Sequence, residues 1–575
     1  MTANASSSSA TVPSDCPDDL PPLVVEDAPM SAPDPTAAAS RRALDLVAGE
    51  RLPALPRAFL DGREHDLLAP LHFLAPGELP TTPAPAVDRV ALAAALERAN
   101  ASYGHPRADE LAARLAHPST RVVVTGQQPG LFGGPLMGLT KTIAALRQAR
   151  AFEARGERAV VVFWVATEDH DWAEVAQTTL LGTDGSEALS LGDDLAPLLP
   201  VGMRTFGDGL DELADRAADL LAGGRAGDRL TAARRWYRPD TRFGEAFSRF
   251  MIDLLGEQAP LYLDSMLPEV KRLQAPWMRR LVEERAALDD ALARQHEAVE
   301  ARGHALQVQP QPGVSPLFLL HAEDDEAAPA RRRIEWRGDD RFGLRGLDGF
   351  ERPVAELLEI LDDNPSAVSP GVLARPAIQD ALLGTSLQVL GPAELSYMAQ
   401  ASAVHRQLGL DGTWSSLRPQ TVVLDARSAG YLDELEVTLG DLLTTPHDEL
   451  IARRLGADPV AVARSEIDRM MCRLRQPVLD VDGSLESPWR KTRDSIRRSL
   501  DTLSKKTTAA IARRHEVWLR RLEQLQHLVV PGGSLQERRL STLVFDARHG
   551  DALVAALLDQ LDLDPRRLRA VILDD

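Results

Sequence analysis

The chain has little cysteine and lacks any long apolar run, and both absences narrow the classes of protein to which it can belong. Among its 575 residues only Cys16 and Cys472 are cysteines, which excludes a disulfide framework and a zinc site built mainly from cysteine. No run of about eighteen apolar residues is present to span a membrane. The N-terminus has neither the basic start nor the apolar core of a secretory signal. We therefore expect a cytoplasmic protein.

Positive charge is also scarce, because 65 lysines and arginines face 85 aspartates and glutamates, which gives a formal net charge of −20. Sequence-independent binding of nucleic acid relies on cationic side chains that contact phosphates, so nucleic acid is not an expected partner. The remaining composition, 44% hydrophobic and 26% charged, is ordinary for a globular protein. At this length we expect roughly two to four domains.

A strand, a helix and a second strand follow one another between residues 121 and 166. "RVVVTG" (121–126) is a short apolar strand, "PLMGLTKTIAALRQARAFEA" (135–154) has helical spacing, and "RAVVVFWVA" (158–166) is apolar throughout, as in a strand buried on both faces. This βαβ pattern predicts an α/β fold with a Rossmann-like parallel sheet. Because ligands bind at the carboxyl ends of such strands, we expect "TGQQPG" (125–130) and "TEDHDWAEV" (167–175) to be neighbours in space.

Changes in composition divide the chain into six predicted parts. An acidic Ala/Ser/Pro-rich leader at 1–45 is expected to be disordered. The Rossmann-like core is predicted in two halves, at 46–206 and at 301–419 with a small insertion, around a mainly helical insertion at 207–300. From 420 to 530 the spacing is of the coiled-coil type and predicts an antiparallel hairpin, with "LDELEVTLGDLL" (432–443) on one arm and 490–528 on the other. Residues 531–575 are predicted to return to the core.

The glycine-rich turn after the first strand matches neither common phosphate fingerprint. Gly133 and Gly138 are five apart, as in a Walker loop, but a leucine follows them and Lys141 comes only later, in the helix. Backbone N–H groups at a helix N-terminus nevertheless favour an anion, and the two glutamines could orient a ligand without charge. The alternative is a tight turn that needs glycine for its conformation. The candidate binding residues are Thr125, Gly126, Gln127, Gln128, Gly130 and Lys141.

Four polar residues follow the second strand, namely Glu168, Asp169, His170 and Asp171. A histidine beside carboxylates can act as a general base or as a metal ligand. Four consecutive side chains cannot all point at one atom, so the segment makes a poor self-contained metal site, and we predict none. The alternative is a charged helix start in which one acid caps the helix.

Two later segments return to the strand-and-turn style of the first unit. "GPAELSY" (391–397) places Glu394 and Tyr397 on one face of a helix that starts near Pro392, where the carboxylate could bind an ammonium group. "RPAIQD" (375–380) offers an arginine that suits a carboxylate or phosphate. The alternatives are a first-turn acid favoured by the helix dipole and an interdomain salt bridge. The candidate residues are Gly391, Glu394, Tyr397, Arg375, Gln379 and Asp380.

Taken together, the segments resemble one family. "VTGQQPGLFGGPLMGLTKT", "VVFWVATEDHDWAEV", "LARPAIQD", "LGPAELSYMAQ" and "PGGSLQER" occur in this order and are similar to the BshC family of cysteine ligases in bacillithiol biosynthesis. The resemblance extends from about Arg57 to the C-terminus. The chain departs from the family at Ala393, where "GPGE" is frequent, and in an enlarged "HAEDDEAAPARRR" loop (321–333).

The resemblance implies a core related to class I aminoacyl-tRNA synthetases, with two connecting insertions and a long α-helical coiled-coil domain that forms a homodimer. It implies a reaction that joins the carboxyl group of L-cysteine to the amine of glucosaminyl-malate. It leaves the activating cofactor unknown, with ATP or ADP as the candidate. The synthetase signature itself is absent, since "TGQQPG" occupies its place.

On this reaction the predicted catalytic residues are His170 as general base, with Gln128 and Asp171. Gln127 and Gln128 would orient the carbonyl or phosphate, and Glu394 or Asp171 would hold the cysteine ammonium. Two rival hypotheses remain. One is a metal-dependent hydrolase that uses His170 with Asp169 or Asp171, and the other is a dimeric nucleotide-binding scaffold without this activity.

Overall fold

The computed structural model describes residues 39–183, 185–222, 226–324, 327–338, 340–455 and 459–573. Most of the predicted disordered leader, residues 1–38, lies outside the described residues. The end of that leader corrects the prediction, because Ala43–Asp45 form a strand that pairs with Arg567–Leu573 near the C-terminus. Arg41 and Arg42 anchor the same segment through ion pairs with Asp433. Residues 39–45 are therefore part of the folded chain.

The described residues form sixteen strands, numbered in chain order. They are β1 (Ala43–Asp45), β2 (His72–Phe73), β3 (Arg121–Gln127), β4 (Ala159–Val165), β5 (Gln177–Gly182), β6 (Gly185–Ser190), β7 (Leu261–Asp264), β8 (Val314–His321), β9 (Ala330–Trp336), β10 (Arg341–Leu344), β11 (Glu351–Pro353), β12 (Val368–Pro370), β13 (Thr385–Leu390), β14 (Trp414–Leu417), β15 (Gln420–Asp425) and β16 (Arg567–Leu573).

The α-helices of the described residues alternate with these strands and fill the long insertions between them. They are Ala54–Leu60, Val90–Ser102, Ala108–Ala116, Met137–Ala154, Trp172–Val175, Gly209–Leu220, Ala226–Trp236, Phe243–Leu255, Pro268–Glu283, Arg285–Ala301, Val354–Asp363, Arg375–Leu383, Pro392–Gln407, Ala426–Glu434, Leu439–Thr444, His447–Leu455, Pro459–Val481, Glu486–Arg514, Glu516–Val529, Gln536–Arg539, Thr542–His549 and Asp551–Gln560. Short 3₁₀ turns lie at His65–Leu68, Leu131–Gly133, Val201–Met203, Gly256–Gln258, Pro365–Ala367, Gly483–Leu485 and Pro531–Gly533.

Six strands form one parallel sheet in the spatial order β2-β14-β13-β3-β4-β7, which confirms the predicted βαβ architecture. β4 is buried at every residue, as its continuous apolar run requires. From β3 the chain builds outward through β4 to β7, whereas β13 and β14 are added on the other side of β3. The strand order therefore reverses between β3 and β13, and such a switch point opens a crevice at the carboxyl ends of the strands.

An antiparallel sheet in the order β11-β10-β9-β8-β12 stands beside this core. The enlarged loop at 321–333 is shorter than the sequence indicated, because its last residues belong to β9. β8 and β9 pair over much of their length, and Arg331 in β9 is only 6% exposed. Two smaller sheets are the hairpin β5-β6 and the three-stranded β1-β16-β15.

The helical hairpin is present, but its arms differ from the predicted ones. Pro459–Val481 packs against Glu486–Arg514, and Arg464 and Arg497 pair across the two helices with Asp501 at 2.6 Å and Asp468 at 2.8 Å. The predicted first arm, 432–443, belongs instead to short helices that pack against Glu516–Val529. The predicted second arm is broken at His515. None of the helices in the described part of the chain is long and apolar enough to cross a bilayer.

Candidate active site

A cavity of about 450 Å³ opens at the switch point, between the carboxyl ends of β3, β4 and β13 and the neighbouring antiparallel sheet. Most of the predicted site residues line this cavity, namely Thr125, Gly126, Gln127, Gln128, Glu168, Asp169, His170, Arg375, Gln379, Glu394 and Tyr397. Five predicted residues do not line it: Gly130, Lys141, Asp171, Asp380 and Gly391. A smaller cavity of about 290 Å³ adjoins it and shares Arg333, Gly371 and Val372.

The two glutamines of the turn connect β3 to the segment that follows β4. Gln127 Nε2 donates to Glu174 at 3.0 Å, and Gln128 Nε2 donates to Asp169 at 2.8 Å. These contacts place the two motifs side by side, as the strand order predicted. The carbonyl oxygen Oε1 of Gln128 is buried and has no hydrogen-bond partner. A buried acceptor without a partner is costly to leave unsatisfied, and this atom can accept a hydrogen bond from a bound ligand.

The glycine-rich turn does not form the expected anion cradle. Several of its N–H groups are already engaged by protein acceptors: Gly130 donates to Gln128, Gly133 to the Tyr237 hydroxyl, and Gly134 to Leu131. The Gly130 carbonyl accepts from the same Tyr237 hydroxyl at 3.1 Å. The glycines therefore shape the turn, and only the glutamine side chains and the end of β3 face the cavity.

Lys141 supports the turn from beneath. Its ammonium donates to Gly126 O at 3.0 Å, Gln127 Oε1 at 3.2 Å and Glu394 Oε2 at 2.6 Å. Burial lowers the pKa of Lys141, and Glu394 opposes that effect. Burial alone would raise the pKa of Glu394, but Lys141 and the Gly391 N–H lower it below its ordinary value. Lys141 thus holds Gln127 and Glu394 in place and neutralises the carboxylate.

The "EDHD" side chains point in different directions. Glu168 pairs with the buried Lys271, which also donates to Val368 O at 2.6 Å. Asp169 accepts from the Gln128 side chain. Asp171 caps the short helix Trp172–Val175, so the capping alternative holds for this residue. Of the four, Glu168, Asp169 and His170 line the main cavity, and Glu168 is neutralised by Lys271. Asp169 lies 3.9 Å from the Arg331 guanidinium.

His170 is held between the core and the antiparallel sheet. Its Nδ1 lies 3.3 Å from the Arg331 guanidinium, and its ring centroid lies 6.3 Å from that of Phe318. Burial and then the charge of Arg331 lower the pKa of His170, while Asp169 and Asp171 raise it less. The net direction favours a neutral imidazole.

The "RPAIQD" and "GPAELSY" segments meet at the far wall of the cavity. Arg375 begins a helix and donates to Gln379 at 3.1 Å and to the Tyr397 hydroxyl at 2.7 Å. Burial raises the pKa of Tyr397, so its hydroxyl stays protonated. Asp380 is turned away and buried against Gln388 and His405. It has a structural partner on each side and no access to the cavity.

Several lining residues were not predicted from the sequence, chiefly Glu174, Phe318, Arg331, Arg333 and Gln388. Arg331 and Arg333 alternate along β9, so both can face one side of the strand. Their guanidinium carbons lie 3.8 Å and 4.8 Å from the Phe318 ring centroid. The period of two within "ARRRIEW" (330–336) was the available signal. It was hidden by the charge of the segment, which suggested a loop.

The cavity therefore carries both signs of charge. Arg331, Arg333 and Arg375 can bind carboxylate or phosphate oxygens, and Asp169 and Glu174 can accept from an ammonium group. Within the described residues no group of three or more His, Cys, Asp and Glu side chains is arranged to hold a metal ion. The metal-dependent hydrolase hypothesis therefore lacks a set of metal ligands in the part of the chain that is described.

A parallel sheet with a polar cavity at its switch point defines a Rossmann-like α/β protein with a small-molecule site. The chain belongs to the bacillithiol biosynthesis BshC family, since residues 79–418 match its N-terminal Rossmann-like domain and residues 421–565 match its C-terminal coiled-coil domain. These matches confirm the predicted family and the predicted combination of a Rossmann-like core with a coiled-coil domain. Apart from the end of the leader, the domain boundaries stay predictions.

Relatives from several bacteria carry the name "Putative cysteine ligase BshC". The protein from Solibacter usitatus is 31% identical over 83% of this chain and 88% of its own. That from Salinibacter ruber is 30% identical over 92% and 98%, and that from one strain of Thermus thermophilus is 31% identical over 77% and 87%. The structure titled "Putative Arginyl t-RNA synthetase" from Campylobacter jejuni overlaps 74% of this chain and 93% of its own at 10% identity, with a TM-score of 0.21. That overlap is too weak to support the expected kinship with synthetases.

Proposed function

We propose that this protein is a ligase that forms an amide bond between the carboxyl group of L-cysteine and the amine of glucosaminyl-malate, which yields bacillithiol. The observation that carries the proposal is the mixed charge of the 450 Å³ cavity in a member of this family. Three arginines suit the two malate carboxylates, and Asp169 suits the cysteine ammonium. Glu394 is less suited to the ammonium than predicted, because Lys141 already neutralises it.

The reaction sets three chemical demands on the site. The attacking amine must be neutral, so a base is needed, for which the carboxylates of Asp169 and Glu174 are the candidates. The predicted base His170 is less suited, because its Nδ1 already faces the Arg331 guanidinium. The cysteine carboxyl must be activated, and ATP or ADP is the candidate source of the activating phosphoryl or nucleotidyl group. The guanidinium groups that line the cavity fit such an anion as well as they fit a carboxylate. Finally, the substrates must be oriented, and Gln128 Oε1 is an unused acceptor for a ligand N–H.

The resemblance also supports a homodimer formed through the helical hairpin. The arms Pro459–Val481 and Glu486–Arg514 leave Met470, Leu474 and Leu503 between 44% and 52% exposed. Burying these apolar side chains against the hairpin of a second chain would stabilise a dimer. We include this dimer in the proposal.

The function is tested by mass spectrometry of reactions that contain glucosaminyl-malate, L-cysteine and one nucleotide from a panel. We expect bacillithiol to form with one nucleotide and not without it. Folded His170→Ala and Gln128→Ala variants should lose activity by about 100-fold or more, as when one positioned catalytic group is removed. Full activity in both folded variants would show that neither residue is needed for the reaction. Nucleotide binding without product would favour the scaffold hypothesis.

A further inference from the structure

Arg331 is 6% exposed, and its guanidinium is held by contacts from two neighbouring strands. Its Nε donates to Ser369 Oγ at 2.8 Å, and a terminal nitrogen donates to Pro370 O at 2.9 Å. The guanidinium carbon lies 3.8 Å from the Phe318 ring centroid. Two strands, β8 and β12, therefore hold the guanidinium of a third strand, β9, in one orientation. Its remaining terminal nitrogen, Nη1, faces His170.

His170 Nδ1 lies 3.3 Å from Arg331 Nη1 and 3.7 Å from Asp169 Oδ1, and only the first distance is within hydrogen-bond range. An arginine has five N–H donors and no acceptor. At 3.3 Å the hydrogen bond therefore runs from Arg331 to Nδ1 of His170, which requires Nδ1 to be unprotonated. In the neutral ring the proton then lies on Nε2. This tautomer leaves Nε2 a hydrogen-bond donor and not a proton acceptor.

The charges around the imidazole favour the same state. Arg331 and Arg204 disfavour a second proton on the ring, whereas Asp169 and Asp171 favour it. Asp194, which is paired with Arg204, also interacts electrostatically with the His170 ring. Burial is the largest effect, and together with these charges it lowers the pKa of His170. The ring is accordingly neutral as well as oriented.

We propose that Arg331 is a positioning residue that holds His170 as a neutral hydrogen-bond donor through Nε2–H, and that His170 stabilises the oxygen that becomes negative during amide formation. The tautomer of His170 is inferred from geometry alone, whereas the role of His170 in the reaction rests on the proposed function. A neutral imidazole that polarises a carbonyl is a known catalytic use of histidine with a lowered pKa.

The oxygen that His170 would stabilise forms when the amine attacks a cysteine carboxyl that is activated as a phosphoric anhydride. The amine nitrogen forms a bond to the carboxyl carbon while the electron pair of the C=O bond moves to oxygen, to which Nε2–H donates. The pair then returns, the C–O bond to the phosphorus-bearing oxygen breaks, and phosphate or nucleotide leaves with the electrons of that bond. The amine's proton passes to the expelled phosphate oxygen. His170 keeps its proton throughout.

The tautomer is tested by ¹⁵N NMR of the full-length enzyme labelled in histidine, with His170→Gln used to assign the signal. We expect an unprotonated Nδ1 and a protonated Nε2 in the wild type. In Arg331→Met, which keeps an apolar side chain over Phe318, the two tautomers should mix and the pKa of His170 should rise, since a positive charge is lost. Arg333→Met is the matched control, because it removes the other arginine over Phe318 and should leave the His170 tautomer unchanged. An unaltered His170 signal in folded Arg331→Met would overturn the positioning role.

The chemical role is tested by comparing kcat for His170→Gln and His170→Ala across pH. A glutamine can donate a hydrogen bond but cannot act as a base. We expect His170→Gln to keep at least about tenfold more activity than His170→Ala, which should lose about 10²–10³-fold, as for a deleted oxyanion donor. Equal losses, with disappearance of the acid limb of the pH profile, would instead make His170 the base. The NMR result does not depend on turnover, so failure of the ligase assignment would be recognised separately.

Discussion

Gly126, at the end of β3, has no room for a side chain. It pairs with Trp164 across the β3–β4 ladder, and a Cβ there would lie 2.6 Å from the Trp164 carbonyl oxygen. Because that oxygen is backbone, the two strands would have to separate. We expect Gly126→Ala to cost about 1–3 kcal/mol, to lower the melting temperature by several degrees and to reduce activity. Gly138→Ala is the control, because the nearest atom lies 3.9 Å away; equal melting temperatures for the two variants would contradict the prediction.

Site residues could be predicted when a side chain suited to binding or catalysis also followed the end of a core strand. Gln128, Asp169 and His170 follow adjacent strands, so topology alone brought them together. Lys141 was expected to reach a ligand but is buried below the cavity, because its ammonium meets the protein's own carboxylate first. Arg331 was missed because it comes from a strand 161 residues further along the chain than His170, and no local pattern records that contact.

At the scale of elements, one buried cation ties three of them together. Lys271, in the helix Pro268–Glu283, pairs with Glu168 after β4 and donates to Val368 at the start of β12. Lys271→Met would leave the carboxylate of Glu168, which is 5% exposed, without its cation. We expect a loss of about 3–5 kcal/mol, seen as a lower melting temperature and as faster hydrogen exchange of the Val368 and Ser369 amides. The double variant Glu168→Gln/Lys271→Met removes both charges and should recover part of the loss; if it melts below the single variant, the pair is not the cause.

Elements whose sequence shows a single hydrophobic pattern were predicted well. Elements in which a helical pattern is interrupted by a helix-breaking residue were not. β4 is apolar at every position, which left the parallel sheet as its natural place. In the hairpin, the arm Pro459–Val481 contains Pro477 in its interior, and proline usually ends or kinks a helix. The sequence pattern predicted "LDELEVTLGDLL" (432–443) as this arm instead. The residues actually facing Glu486–Arg514 are those nearest in the chain, as short connections favour.

The cavity depends on parts of the chain that lie far apart in sequence. The core supplies the glutamines and carboxylates, and the antiparallel sheet supplies Arg331, Arg333 and Phe318. The Arg331–His170 contact is a direct link between the core and the antiparallel sheet, so the site is formed by residues of both sheets.

Exposed apolar side chains on the helical hairpin predict that two chains associate through it. Met470 and Leu474 lie one turn apart on one arm, and Leu503 lies on the other, with all three about half exposed. We expect the wild type to have twice the mass of one chain by light scattering, and Met470→Glu/Leu474→Glu/Leu503→Glu to be monomeric, because three buried carboxylates would oppose a helical interface. Leu195→Glu is the control, since Leu195 is 95% exposed and lies outside the hairpin, so it should stay dimeric. A monomeric wild type at all concentrations, or a triple variant that remains dimeric, would place the dimer interface elsewhere or exclude it.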